Sequence, residues 1–172
     1  MTKATASTNG PGAPATSAPA AEAWVEAFTE GWRAPAGPDA FASHFERYAD
    51  PQFRLVQPLM PTVHGLERWR EGFVKPTFTM LPGLRGEVHR WAASGDVVYI
   101  EFDLIAPIGR RSVRWHVVDR FYLREGRPVE RVSYFDPAPL VRAVATSPSA
   151  WPRFLRGQAQ LFRYRLRRRL SR

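Results

Sequence analysis

Residues 96–136 constrain the fold more than any other part of the chain, because three strand-like runs follow one another there with no helix between them. Val, Ile, Phe, Tyr and Trp dominate the runs, and turn residues bracket each of them. The runs are Val97–Ala106, Ser112–Arg124 and Val129–Phe135, joined by turns at Pro107–Gly109 and Glu125–Arg127. The pattern predicts a curved antiparallel meander that forms the wall of a small pocket.

Three segments before the meander have apolar residues at helical spacing, and two have the composition of strands. The predicted helices are Ala20–Arg33, Asp39–Tyr48 and Leu66–Val74, and the predicted strands are Phe53–Gln57 and Leu84–Trp91. The first helix presents Trp24, Phe28 and Trp32 on one face, as an amphipathic helix does. Asp39 is expected to cap the second helix, which would bury Tyr48.

The order of these elements predicts the fold class. Helices come first and consecutive antiparallel strands follow, which favours an α+β fold over an alternating α/β fold. Helices packed on one side of a bent sheet leave one end open, and small apolar ligands commonly bind in such a mouth. The length of 172 residues fits one such domain with tails.

The positive charge of the chain is concentrated at its C-terminal end. The formal net charge is +9, and residues 137–172 contain nine Arg and no acidic residue, which leaves 1–136 neutral. A domain that grips nucleic acid carries its basic charge on the fold itself. We therefore expect no nucleic-acid partner for the globular part.

The remaining composition bounds the compartment and the domain limits. The chain has no Cys, which excludes disulfides and fits a reducing, cytoplasmic compartment. No apolar run approaches the ~20 residues of a membrane span, and no secretory signal is visible at the N-terminus. We expect disorder in the Ala-, Ser- and Pro-rich residues 1–19, a folded domain over 20–140 and an Arg-rich helical extension over 141–172.

Strand alternation sorts the side chains of the meander into an inward and an outward set. The predicted inward set is Val98, Ile100, Phe102, Leu104, Val113, Trp115, Val117, Asp119, Phe121, Leu123, Val129, Arg131, Ser133 and Phe135. The outward set includes Glu101, Asp103, Arg114, His116 and Arg120, which predict a cross-strand charge ladder. A β-bulge would shift any of these assignments by one residue.

Asp119 is the lone carboxylate in the inward set, among Trp, Val and Phe. Poor solvation raises the pKa of such a carboxyl group, which can then donate a hydrogen bond or a proton to a reacting carbonyl compound. Arg131, on the adjacent strand and the same face, offers a second interpretation, in which the two residues form a buried structural ion pair. Both interpretations stay open from the sequence.

Several short stretches carry a resemblance to a known superfamily. They are Tyr48–Asp50, Pro61–Gly65, Val117–Phe121, Glu125–Arg127 and Ser133–Asp136. Over residues 20–140 the chain resembles the nuclear transport factor 2-like superfamily, in particular its SnoaL-like polyketide cyclases and ketosteroid-isomerase-like proteins. The resemblance implies a cone-shaped α+β fold, with N-terminal helices packed on a curved antiparallel sheet, and commonly a homodimer.

The superfamily includes cyclases, isomerases, hydrolases and non-catalytic members. The resemblance therefore implies a small apolar, polyketide- or steroid-like carbonyl ligand and, for an enzyme, cofactor-independent acid/base cyclisation or isomerisation. Asp119 matches an oxyanion-hole acid of the ketosteroid isomerases, and Asp136 or Asp119 would be the late acidic residue of SnoaL-type cyclases. Gln57 stands where the isomerases carry their general-base Asp. Ser133 stands where limonene-epoxide-hydrolase-like members carry an Asp, and Phe102 stands near the position of their Arg. These departures argue against both of those activities.

The candidate site residues follow from the alternation and the resemblance together. The catalytic candidates are Asp119 and Asp136, and the ligand-binding candidates are Gln57, Trp115, Arg131, Ser133, Phe102, Phe135 and Phe28, the last of which fits a core position better than a ligand-binding one. No Gly-rich phosphate loop or other cofactor motif is present. The four His residues are scattered without ligand spacing, so we expect neither a cofactor nor a metal site.

The C-terminal extension predicts an amphipathic helix over 150–170. Its apolar stripe consists of Trp151, Phe154, Leu155, Leu161, Phe162, Leu166 and Leu170, and arginines lie around it. The stripe would dock on the fold or a second subunit, lie on a membrane surface, or accompany binding of nucleic acid or an acidic partner. The sequence leaves these three alternatives open.

Overall fold

The structure, a computed structural model, describes residues 17–170, with side chains through residue 166. The predicted disorder at the N-terminus lies outside the described residues except for 17–19, and the first helix begins at Ala18. None of the helices within residues 17–170 combines the length and the hydropathy that a membrane span requires.

Helices pack on one side of a curved, unclosed six-stranded sheet, as predicted. The helices are α1 (Ala18–Arg33), α2 (Pro38–Glu46), α3 (Leu66–Trp69), α4 (Lys75–Met80), α5 (Ala138–Ala145) and α6 (Trp151–Leu170). The strands are β1 (Arg54–Val56), β2 (Val63–His64), β3 (Arg85–Ser94), β4 (Val97–Ile108), β5 (Arg111–Arg124) and β6 (Arg127–Tyr134). The strand order is β2-β1-β6-β5-β4-β3, antiparallel except for the parallel pair β1–β6. This α+β arrangement confirms the predicted fold class.

The inward face of the meander and the first helix share one aromatic core. Phe102, Val117 and Phe121 are buried, as alternation predicts. Phe28 of α1 packs edge-on against Phe102 and Phe121, with ring centroids 5.1 and 5.5 Å apart. Trp24 lies 5.0 Å from the ring of Phe121 in the same geometry. These contacts fix α1 across the sheet, because aromatic pairs prefer such edge-to-face arrangements.

The hairpins of the meander are tighter than the sequence predicts. Strand β4 extends through Pro107 to Ile108, which pairs with Arg111 across a two-residue turn. Pro107 is tolerated because β3 pairs with β4 only as far as Ile105, which leaves one side of Pro107 unpaired. The turn between β5 and β6 is formed by Glu125 and Gly126, with φ values of 52° and 76°.

A β-bulge changes one predicted inward position on β6. The pairing register of β5 and β6 shifts between Tyr122 and Leu123, so that Leu123 pairs with Pro128. Pro128 is buried as a result, and Val129, which alternation placed inside, is only half-buried. Beyond the bulge, Arg131 and Ser133 are buried as predicted.

The second and third predicted helices also differ in detail from the structure. Helix α2 starts at Pro38 after Gly37, so Asp39 lies inside its first turn and does not cap it. The carboxylate Oδ1 of Asp39 instead lies 3.3 Å from Nη1 of Arg70. Tyr48 follows the end of α2 and is exposed, not buried. The helix predicted to end at Val74 continues through a π-helical turn, Arg70–Val74, into α4. Pro76 falls in the first turn of α4, where a missing N–H is tolerated.

The outward face carries the predicted cross-strand charge ladder. Asp103 of β4 is its centre, with Nη1 of Arg114 2.7 Å, Nδ1 of His116 3.0 Å and Nε2 of His89 3.1 Å from its carboxylate oxygens. Partial burial raises the pKa of Asp103, but hydrogen bonds from Arg114, His116 and His89 outweigh it and lower the pKa from 3.8 to about 2. The ladder therefore favours the ionised carboxylate of the folded state.

We expect Asp103→Asn to destabilise the fold at neutral pH by about 1 kcal/mol, since its partners are largely exposed and screened. Because the pKa of Asp103 is lower in the folded state than in the unfolded state, its ionised carboxylate stabilises the fold above pH 3.8. This contribution is lost as the pH falls from 3.8 towards about 2. The wild type should therefore lose more stability than the variant over that interval. Denaturant unfolding at stepped pH measures the difference, with Glu26→Gln on the exposed face of α1 as the matched charge-removal control. Identical acid limbs in wild type and Asp103→Asn would refute the role of the ladder.

Candidate ligand-binding site

A cavity of about 390 Å³ lies between the concave inner face of the sheet and the helices. Its sheet wall is formed by side chains of β4, β5 and β6, its opposite wall by Phe73 and α4, and its cover by α5 and α6. The lining residues include Trp32, Gln57, Leu59, Met60, Phe73, Thr77, Met80, Leu84, Leu104, Trp115, Val117, Arg131, Ser133, Phe135, Leu140, Val144, Phe154 and Gln158. The volume and the apolar lining are typical of a pocket for a small organic molecule.

Five of the predicted ligand-binding residues line this cavity, namely Gln57, Trp115, Arg131, Ser133 and Phe135. Phe28 and Phe102 do not line it, because their rings pack against each other in the core behind it. Neither catalytic candidate, Asp119 or Asp136, lines it either.

Asp119 lies behind the cavity wall in an ion pair with Arg131. Cross-strand register pairs Asp119 with Ser133 and Phe121 with Arg131, so Arg131 reaches its partner diagonally on the inner face. Nε of Arg131 is 2.6 Å from Oδ2 of Asp119, and Asp119 is fully buried. Burial raises the pKa of Asp119, while the charge of Arg131 and the hydroxyl of Ser133 act in the opposite direction.

Arg131 joins this ion pair to the cavity. Its guanidinium carbon lies 5.7 to 5.9 Å from the ring centroids of Phe28, Trp32, Phe73 and Phe121, a distance at which rings attract a cation. Among the described residues, Asp119 is the one carboxylate that pairs with it. An arginine has five N–H donors, so the guanidinium retains donors for an oxygen atom of a bound molecule.

Asp136 has a different place in the structure. It is exposed, and its Oδ1 accepts a hydrogen bond from the backbone N–H of Ala138, 2.9 Å away. This hydrogen bond orders the connection between β6 and α5. Nothing in this geometry directs the carboxylate of Asp136 towards the cavity.

Much of the cavity cover was not identified from the sequence. Leu140 and Val144 of α5 and Phe154 and Gln158 of α6 line the cavity, whereas none of them is among the site residues that the sequence predicts. The available signal was the spacing of Leu140 and Val144, four residues apart on one face of a short helix. Met80 and Thr77 were missed because α4 lies beyond the predicted helix end.

One cluster on the outward face has the residue types of a metal site. Ligand atoms of His89, Asp103 and His116 lie within 4.8 Å of one another. Asp103 pairs directly with His116, and a bulge between Val88 and Arg90 places His89 beside them. This proximity depends on strand register, which the sequence spacing of the His residues does not show. Arg114 already neutralises Asp103 there, and the expectation of no metal site stays a prediction.

Comparison with known proteins agrees with this architecture. The sequence profile of the SnoaL-like domain family matches residues 21–131, and no protein of curated function matches the chain in sequence. A SnoaL-like protein of Jannaschia sp. CCS1, named provisionally as a polyketide cyclase, has 23% identity and a TM-score of 0.63, with 75% of this chain and 93% of that chain covered.

Two further solved structures show the same fold at lower identity. TerC, co-crystallised with polyporic acid, has 18% identity and a TM-score of 0.65, with 74% of this chain and 99% of that chain covered. An epoxide hydrolase of M. tuberculosis that resembles limonene epoxide hydrolase has 19% identity and a TM-score of 0.57, with 77% and 95% covered. At these identities the likeness concerns the fold alone. Because the family profile spans most of the chain, from α1 to β6, the chain belongs to the SnoaL-like domain family, within the nuclear transport factor 2-like fold.

Proposed function

We propose that the protein binds a small apolar molecule with one oxygen acceptor, such as a polyketide- or steroid-like carbonyl compound, in the cavity beneath α5 and α6. The single observation that carries the proposal is the position of Arg131 and Ser133 in an otherwise largely apolar lining. Apolar walls take up the body of such a ligand, and a few convergent polar groups orient it. Gln57, on the same lining, supplies a further donor and acceptor.

The charge of the site favours a neutral acceptor over an anion. Asp119 and Arg131 together are neutral, and both are buried. An anionic ligand beside them would leave one negative charge uncompensated in a poorly solvated site, which is costly. A ketone or quinone oxygen accepts a hydrogen bond from the guanidinium without changing the net charge.

The second candidate function is cofactor-independent cyclisation or isomerisation. The observation that favours it is the position of Ser133, which lines the cavity and pairs with Asp119 across β5 and β6. Arg131 would stabilise negative charge that develops on the carbonyl oxygen, and Asp119 would exchange a proton by way of Ser133. Asp119 does not itself line the cavity, so the geometry supports binding more directly than catalysis.

A homodimer is part of the same proposal, because large aromatic side chains are exposed on the outward face of the sheet. Tyr99, Tyr122 and Tyr134 belong to this group. Aromatic residues are enriched at protein interfaces. Sedimentation equilibrium of the purified chain measures the oligomeric state.

We expect ligand binding to be lost when the cavity is filled from its cover. Val144→Trp places an indole in the cavity, whereas Arg142→Trp places one on the exposed side of the same helix. Calorimetric titration and thermal shift with polycyclic ketones and quinones measure the binding. We expect the wild type and Arg142→Trp to bind these compounds and Val144→Trp not to bind them. Equal binding by both variants would exclude this cavity as the site.

We expect the ion pair and the ligand contact to be separable by a double substitution. Arg131→Met alone leaves Asp119 buried and unpaired, which should cost about 3–5 kcal/mol of folding stability. Asp119→Leu with Arg131→Met removes both charges and should restore most of it, since an apolar pair of similar volume replaces a buried ion pair well. The restored protein should still bind apolar compounds but lose its preference for ketones over the matching hydrocarbons.

The same pair of residues distinguishes the two candidate functions. If the restored double variant keeps the preference for ketones, Arg131 is not the polar anchor. If Asp119→Asn binds a ketone as tightly as the wild type but no longer converts it, the protein is an enzyme that uses Asp119. Loss of stability alone in Asp119→Asn would mean that the carboxylate serves the fold.

A further inference from the structure

Helix α6 has two apolar faces, and the structure uses only one of them. The inner face holds the helix on the domain: Leu161 is buried, and Gly157 lies so close to α4 that an added Cβ would be 2.3 Å from Cγ of Met80. Tyr164 packs over Gly72 in the same way, at 2.9 Å from the position of an added Cβ. Docking on the fold, one of the three alternatives left open by the sequence, therefore accounts for only part of the apolar stripe.

The outer face of α6 exposes the rest of the stripe to solvent. Trp151, Leu155, Phe162 and Leu166 are 48%, 69%, 61% and 43% exposed. At about 100° per residue these four side chains fall within an arc of about 60°, and they extend over about 22 Å of helix. An exposed contiguous apolar surface of this kind marks a binding site more often than a scattered apolar residue does.

Uncompensated arginines lie on both sides of this outer stripe. By helical spacing, Arg156 and Arg163 lie on one side of it and Arg165 on the other. All three are exposed, and none pairs with a carboxylate of the described residues. Arg153 differs, because it donates a hydrogen bond to the backbone oxygen of Pro107, 2.6 Å away. The extension has no acidic residue to offset these charges.

We propose that the outer face of α6, formed by Trp151, Leu155, Phe162 and Leu166 with their flanking arginines, docks on the surface of an anionic lipid membrane. A helix with an apolar face and an arginine-rich border buries the first at the level of the headgroups and pairs the second with lipid phosphates and carboxylates. The inference goes beyond the proposed ligand binding and does not depend on it.

Two other occupants fit the surface less well. A nucleic acid would neutralise the arginines but leave Leu155 and Leu166 in water, since bases stack on aromatic faces and not on leucine. A second copy of the helix would bury the stripe but bring rows of unpaired arginines close together, and like charges juxtaposed at an interface oppose association. The membrane surface satisfies the apolar and the charged groups together.

The test is cosedimentation of the full chain with phosphatidylcholine vesicles, with and without phosphatidylserine. We expect the wild type to partition onto the anionic vesicles, and Arg156→Gln with Arg163→Gln to weaken that partitioning at least about tenfold. Leu155→Ser with Phe162→Ser should abolish it. Tyr48→Ser removes an exposed aromatic side chain outside α6 and outside the proposed dimer surface, and is the matched control, expected to bind like the wild type. Circular dichroism and melting temperature confirm that each variant is folded.

Three outcomes would overturn the proposal. The first is wild-type protein that stays in the supernatant with anionic vesicles. The second is a tyrosine control that loses as much vesicle binding as Leu155→Ser with Phe162→Ser does. That result would mean that vesicle binding does not depend specifically on the outer face of α6. The third is a wild-type oligomer that Leu155→Ser with Phe162→Ser converts to a monomer without vesicles, which would assign the face to a second copy.

Discussion

The buried ion pair of Asp119 and Arg131 is the interaction on which the site depends. Each charge alone would be costly to remove from water, so the pair persists only while β5 and β6 keep one register. A slip of β6 by one residue would turn Arg131 to the outward face and leave Asp119 buried without its partner. The pair thus couples the register of the sheet to the chemistry of the cavity, because the partner that completes it, Arg131, is also the principal polar group of the lining.

Alternation of side chains in strands made the inner half of the site predictable. Asp119, Arg131, Ser133 and Trp115 all fall where a period of two places them, because each lies on a stretch of strand that contains no bulge. The incorrect predictions arose where a contact between distant parts of the chain overrides a local pattern. The bulge beside Leu123 turns the side chain of Pro128 inward in place of that of Val129. Asp39, expected as a cap, instead pairs with Arg70 from another helix.

The cover of the cavity could not be derived from the sequence in the same way. Phe154 and Leu155 are adjacent and equally apolar, yet one lines the cavity and the other faces solvent. A helical period places apolar residues on a face but does not tell which body that face meets. The approach of α6 to α4 is set by Gly157 against Met80, a contact of residues far apart in sequence. The proximity of His89 and His116 was also not predictable from the sequence, because it depends on the strand register and on a bulge in β3.

Because α6 is at once a wall of the cavity and an exposed apolar surface, its two roles are thermodynamically linked. Phe154 and Gln158 contact the cavity, while Leu155 and Phe162 face outward on the same rigid helix. Anything that holds α6 in its docked position favours a closed cavity, and a ligand that fills the cavity favours the docked helix. Such coupling is reciprocal by necessity. A membrane that binds the docked helix more tightly than an undocked one would therefore raise the affinity of the cavity for its ligand by the same factor by which the ligand raises binding to the membrane.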